Sequence, residues 1–193
     1  MSVIYYGDKE TFAIRYIPGF KLKGEDGTHH FYATLHLVLG GQIIGDPDEN
    51  CFLSTWLWPV DWLQDNLHCR FDYLYDKEFE GRTDEEIFAM IWKANEFESE
   101  YDPEYLHLPK LDQVIWDICT FNIDETTDAW LLAVIKHNDH QLKFLWKKHM
   151  EHIRPEISTD LYSVIVDKDF AVDTINQCLQ EVQMHWIHYP LEV

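Results

Sequence analysis

Residues 31–39 read Phe-Tyr-Ala-Thr-Leu-His-Leu-Val-Leu, and no other stretch limits the fold as strongly. Phe31, Ala33, Leu35, Leu37 and Leu39 alternate with Tyr32, Thr34, His36 and Val38. Alternation at period two predicts a strand with one strongly apolar face. Gly40-Gly41 follows, then Gln42-Ile43-Ile44. Paired glycines reach positive φ at little cost, so this is a hairpin. Upstream, Phe12, Ile14 and Tyr16 alternate within Thr11–Tyr16, which predicts a second strand. Pro18 and Gly19 are expected to end it. Gly45-Asp46-Pro47-Asp48 is turn chemistry. An N-terminal antiparallel sheet follows from these local signals.

The period then changes. Trp56, Val60, Leu63, Leu67 and Phe71 are spaced 4, 3, 4 and 4 apart, which is one helical stripe. Pro59 is expected in the first turn, where its missing N–H does no harm. Trp58 and Trp62 lie off the stripe, towards Asp61 and Asp65. Thr83-Asp84-Glu85-Glu86 forms a capping box for a second helix burying Ile87, Phe88, Ile91 and Trp92. Its other face carries Glu86, Glu96 and Glu100. Tyr101–Pro109 is irregular, and Val114–Phe121 is rich in strand formers. Trp130–Ile135 and Gln141–Trp146 read as strands joined by a His137-Asn138-Asp139-His140 turn. Tyr162–Val166 is another strand. From Phe170 a helix begins, capped by Asp167 or Asp169, with Ala171, Ile175, Cys178, Val182 and Trp186 on one face. Strands, two helices, strands and a C-terminal helix predict an α+β fold. Antiparallel sheets from the N-terminal and later strands are packed by two central helices and the C-terminal helix. The 193 residues suit a single domain over 1–193. A seam, if two lobes exist, falls near 102–111.

Charge narrows the class of partner. There are 35 acidic residues against 15 basic ones, a net −20. Phosphate recognition needs Lys and Arg, so nucleic acid is disfavoured as a direct partner, and an anionic membrane surface likewise; the expectation is no nucleic acid and no membrane. A basic protein partner is favoured. A large net charge also favours solubility and a monomer. Cys51, Cys69, Cys119 and Cys178 form no Cys-x-x-Cys pair and read as buried thiols in a reducing compartment, the cytoplasm. Met1–Gly7 lacks a secretory pattern, and no apolar run approaches the ~20 residues that span a bilayer.

Catalytic signatures are not found. The sequence carries no Gly-x-x-x-x-Gly-Lys, Gly-x-Gly-x-x-Gly or Gly-x-Ser-x-Gly. Its five serines lack a strained Gly-flanked turn. Cys69 follows His68, but adjacent helical side chains diverge. Three His-x-x-His pairs, His137/His140, His149/His152 and His185/His188, offer a metal-binding enzyme as an alternative reading. Eleven histidines make such pairs expected by chance. The expectation is therefore no enzyme, no cofactor and no metal.

The feature that remains is an acidic strip. From Asp72 to Glu104, twelve acids face only Lys77, Arg82 and Lys93, a local −9. Tyrosine and phenylalanine are interleaved, while Lys136–Arg154 is locally +3. Charges steer encounter and aromatic anchors supply desolvated contact. The candidate partner-binding residues are Asp72, Asp76, Glu78, Glu80, Asp84, Glu85, Glu86, Glu96, Glu100, Tyr101 and Asp102, with Trp58 and Trp62. A solvated helix face beside a core, or a non-inhibitory adaptor, are the plainer readings of the same charges.

The chain resembles the immunity protein 42 family of bacterial polymorphic toxin systems. The residues that carry this are Gly7-Asp8, Phe12-Ala13-Ile14, the strand Phe31–Leu39, Ile43-Ile44-Gly45-Asp46, the helix Trp56–Leu67, and Trp130-Leu131 with the hairpin to Trp146. The resemblance implies a cytoplasmic protein that binds a cognate secreted toxin domain, encoded by a neighbouring gene, and blocks it by occlusion. A nuclease toxin, with its basic cleft for phosphate, would suit an acidic inhibitor.

Overall fold

The computed structural model describes residues 2–69, 79–94, 119–148 and 160–188, with side chains of the first range described to 67. Along the chain these residues form β1 (Ile4–Asp8), β2 (Phe12–Lys23), β3 (His29–Leu39), β4 (Gln42–Ile44), β5 (Cys51–Phe52), α1 (Leu53–Cys69) and α2 (Asp84–Lys93). After a 3-10 turn at Glu125–Thr127 come β6 (Trp130–Lys136), β7 (Gln141–Lys148), β8 (Tyr162–Asp167) and α3 (Lys168–His188). Both sheets are antiparallel, in the orders β1-β2-β3-β4 and β6-β7-β8, and the α+β expectation holds.

β3 is the axis of the first sheet. β2 pairs along its whole length on one side. On the other side β4 takes Leu37–Leu39 and β5 takes Tyr32–Ala33. The hairpin at Gly40-Gly41 forms as the sequence predicts, with both glycines at positive φ. β1 was not evident from alternation.

Pro18 and Gly19 do not end β2. The strand continues to Lys23 through a shift of register between Pro18 and Phe20. The cause is close backbone approach. A Cβ on Gly19 would stand 2.0 Å from the Tyr32 carbonyl oxygen. A glycine beside a proline lets the ladder slip by one residue and resume.

The second sheet is a partition. Trp130–Ile135 is an unbroken apolar run, as suits a strand covered on both faces. Leu132, Phe144, Trp146 and Val166 face the main core, with Phe144 against Phe12 at 5.3 Å between ring centroids. Trp146 Nε1 donates to Gln42 Oε1 at 3.0 Å, joining the two sheets. Ala133, Ile135 and Leu145 face the other way and pack with Ile87, Phe88, Met90 and Ile91 of α2.

α1 and α3 cover the first sheet and share its core through Trp56, Val60, Leu63, Leu67, Ile175, Cys178 and Val182. Gln64 Nε2 donates to Asn176 Oδ1 at 2.8 Å between them. Pro59 is not in the first turn: α1 begins at Leu53 and places it in the second. The carbonyl it leaves unbonded belongs to Thr55, which is exposed to water. Asp167 caps α3, its Oδ1 accepting from the Phe170 N–H at 2.9 Å. Trp186 shares the angular position of the buried face but is exposed at 39%, one turn past Val182, the last buried residue of α3. Phe71, the Tyr101–Pro109 stretch, most of Val114–Phe121 and the 102–111 seam lie outside the described residues. Thr120 bridges Ala133.

Substituting Gly19 by alanine should lower unfolding free energy by about 2 kcal/mol or more, since the clash is with backbone. Denaturant midpoints of the two proteins measure it. An unchanged midpoint would show that the β2–β3 ladder shifts without strain.

Candidate partner-binding surface

The acids of the candidate strip fall into different environments. Asp84 opens α2, and its carboxylate accepts from Lys143 Nζ at 2.6 Å and Ser163 Oγ at 2.5 Å. These contacts hold its carboxyl below the usual range, against the opposing effect of partial burial. Asp84 thus ties α2 to β7 and β8. Glu86 closes the capping box: Thr83 N donates to Glu86 Oε2 at 2.9 Å, and Glu86 N donates to Thr83 Oγ1 at 3.2 Å. Both acids are therefore engaged internally. Glu80 and Glu85 are exposed. Asp72, Asp76, Glu78, Glu96, Glu100, Tyr101 and Asp102 lie outside the described residues.

Trp58 and Trp62 stand on the water side of α1. Their exposures are 72% and 38%. Asp61 and Asp65 are exposed beside them. Sequence reasoning missed two apolar residues of the adjacent helix, Met184 and Ile187, exposed at 54% and 62%. The available signal was their place off the buried stripe of α3.

A polar cluster lies beneath the other face of β3. Alternation predicts that Thr34, His36 and Val38 lie away from the core, and yet all three are buried. Loops cover them. Thr34 Oγ1 donates to Asn50 Oδ1 at 3.0 Å, and Arg15 reaches the Pro47 carbonyl oxygen at 3.4 Å. A Cβ on Gly45 would meet His36 Cδ2 at 2.6 Å and Thr126 Oγ1 at 2.9 Å, which places the 3-10 turn beside His36. Asp124 caps that turn through Thr126, and burial raises its carboxyl above the usual range. His36 is lowered to about 4, chiefly by burial, and the Arg15 guanidinium acts in the same direction.

Of the paired histidines, His137 and His140 flank the β6–β7 turn. His185 and His188 end α3, where His185 stacks on Tyr16 at 5.7 Å. His149/His152 lies outside the described residues. No three His, Cys, Asp or Glu side chains converge as metal ligands among the described residues. Cys51, Cys119 and Cys178 are buried and outside any disulfide, and burial pushes the thiols of Cys51 and Cys178 upward. Among the described residues no helix is long and apolar enough to cross a membrane.

The outward side of α1 thus sets two exposed tryptophans beside two exposed carboxylates. Residues 1–181 match the model of immunity protein 42, and the chain belongs to that family. A crystal structure of CdiI from Burkholderia dolosa AUO158 shares the fold with a TM-score of 0.55 at 14% identity, covering 92% of this chain and 99% of that one. No curated protein matches the sequence.

Two outcomes follow from this geometry. Asp84→Asn should cost about 1–2 kcal/mol, because Lys143 loses its counter-charge in a half-buried contact. Thermal unfolding reads this, and an unchanged midpoint would show that Lys143 and Ser163 find other partners. The second concerns pH. The unfolded chain protonates His36 near 6.5, whereas the folded chain does so only near 4. Its contribution is complete above pH 6.5 and is lost as pH falls towards 4, by up to about 3 kcal/mol. Asp124, raised by burial, opposes this at the acid end. His36→Gln should lose less stability than the parent between pH 7 and 4.5. Parallel pH profiles would sink the assignment.

Proposed function

We propose that this chain is the immunity partner of a secreted bacterial toxin, binding the toxic domain and neutralising it by occlusion. The observation that carries this is the match to immunity protein 42 over residues 1–181. The net charge of −20 supports a partner with a basic surface. A nuclease suits that description, since its cleft must attract phosphate. In this reading the protein acts in the cytoplasm, as a monomer, by binding and without catalysis. Residues 1–193 act as one domain. Glu80, Glu85 and the acids between Asp72 and Asp102 steer the encounter, while Asp84 and Glu86 hold α2 in place.

Expression of the toxin domain encoded beside this chain should stop growth, and co-expression of the chain should restore it. The purified pair should bind one to one, with an association rate that falls as salt rises. Glu80→Lys with Glu85→Lys should slow association several-fold at low salt and little at high salt. A toxin domain that is neither bound nor neutralised would refute the reading. Salt-independent association would remove the acidic steering.

A further inference from the structure

The two helices that cover the first sheet run antiparallel. α1 starts directly after β5, which pairs with Tyr32 and Ala33 of β3. The C-terminal end of α3 reaches the same end of the sheet. There Lys21 Nζ donates to the Trp186 carbonyl oxygen at 3.5 Å, and Lys21 pairs with Phe31. The Gln64–Asn176 hydrogen bond fixes the crossing further along. Trp58, within two turns of the start of α1, thus lies at the same end as Met184 and Ile187.

The outward positions of both helices follow helical spacing. Trp58, Asp61, Trp62 and Asp65 fall at i, i+3, i+4 and i+7, opposite the buried Trp56, Val60, Leu63 and Leu67. On α3 the outward face carries Asp169, Asp173, Gln177, Gln180, Met184 and Ile187, all exposed. Neither helix carries Lys or Arg except Lys168, the first residue of α3. The layer is therefore aromatic and apolar at one end and acidic at the other.

We infer that this outer face of α1 and α3 is where the cognate toxin docks, by seating arginine side chains on Trp58 and Trp62 between Asp61 and Asp65. Tryptophan faces attract guanidinium more than other rings do. Carboxylates one turn away complete the neutralisation, and a guanidinium can use both contacts at once. Met184 and Ile187 supply an apolar margin that excludes water around the charge pairs. The occupant is chosen by charge: Asp61, Asp65, Asp169 and Asp173 outnumber Lys168, the one Lys or Arg on the described part of the two helices, which disfavours a second copy and favours a basic partner. The inference rests on the immunity reading and adds the docking site to it.

The test uses the full chain and the toxin domain encoded beside it. Hydrogen exchange of the complex should slow in 58–65 and 180–187. Trp58→Leu with Trp62→Leu should weaken binding at least tenfold, although leucine keeps much of the apolar area. Asp61→Asn with Asp65→Asn should weaken it several-fold at low salt and less at high salt. Melting temperatures should change little, since these side chains are exposed. A leucine variant that binds like the parent overturns the arginine seat. Protection confined to other segments overturns the docking face and leaves the immunity reading intact. A toxin domain that is not bound at all removes both. A free chain that dimerises, and becomes monomeric with Trp58→Leu and Trp62→Leu, assigns the face to self-association and overturns the proposal.

Discussion

The ladder between β2 and β3 sets the geometry of everything around it. β3 gives one face wholly to the core through Phe31, Ala33, Leu35, Leu37 and Leu39. One of its edges is used by β2 along its whole length, and the other is shared by β4 and β5. A strand so committed cannot slip, because moving by one residue would turn every apolar side chain to the wrong face. The bulge at Pro18–Gly19 absorbs the irregularity in β2 instead. α1 emerges from β5 and α3 rests on β1 and β2, so the helix layer takes its position from this ladder.

Charge in this molecule does two kinds of work. Asp84 and Glu86 belong to the architecture, one clamping α2 to Lys143 and Ser163 and the other closing a capping box. Asp61 and Asp65 make no such contact among the described residues, and they stand exposed on α1 beside Trp58 and Trp62. The distinction matters because a net charge of −20 says nothing about which carboxylates are available to a partner. Available acids are those whose removal would leave the fold unchanged.

Local signals were legible in the sequence. The hairpin at Gly40-Gly41, the Thr83 capping box, β3, β6, β7 and β8, and the stripes of α1 and α3 all depend on neighbours within a few residues. What was not legible depends on distant partners. Asp84 meets Lys143 and Ser163, which are 59 and 79 residues away in sequence. Thr34 and His36 look like solvent-facing positions until the loops carrying Asn50 and Thr126 cover them. Pro59 looked like a helix start because the turn that precedes it, Leu53–Trp56, follows straight on from β5 and has no start signal of its own. Trp58 and Trp62 were legible as residues off the buried stripe, while Met184 and Ile187 gain meaning only when α3 is laid beside α1.

The sheet β6-β7-β8 serves two cores at once, with Phe144 and Trp146 on one side and Ala133 and Leu145 on the other. Loosening α2 would bare one side of these strands, and losing the first sheet would bare the other. Neither core has a wall of its own on that boundary. The shared sheet couples the two, so damage to one is expected to lower stability in both.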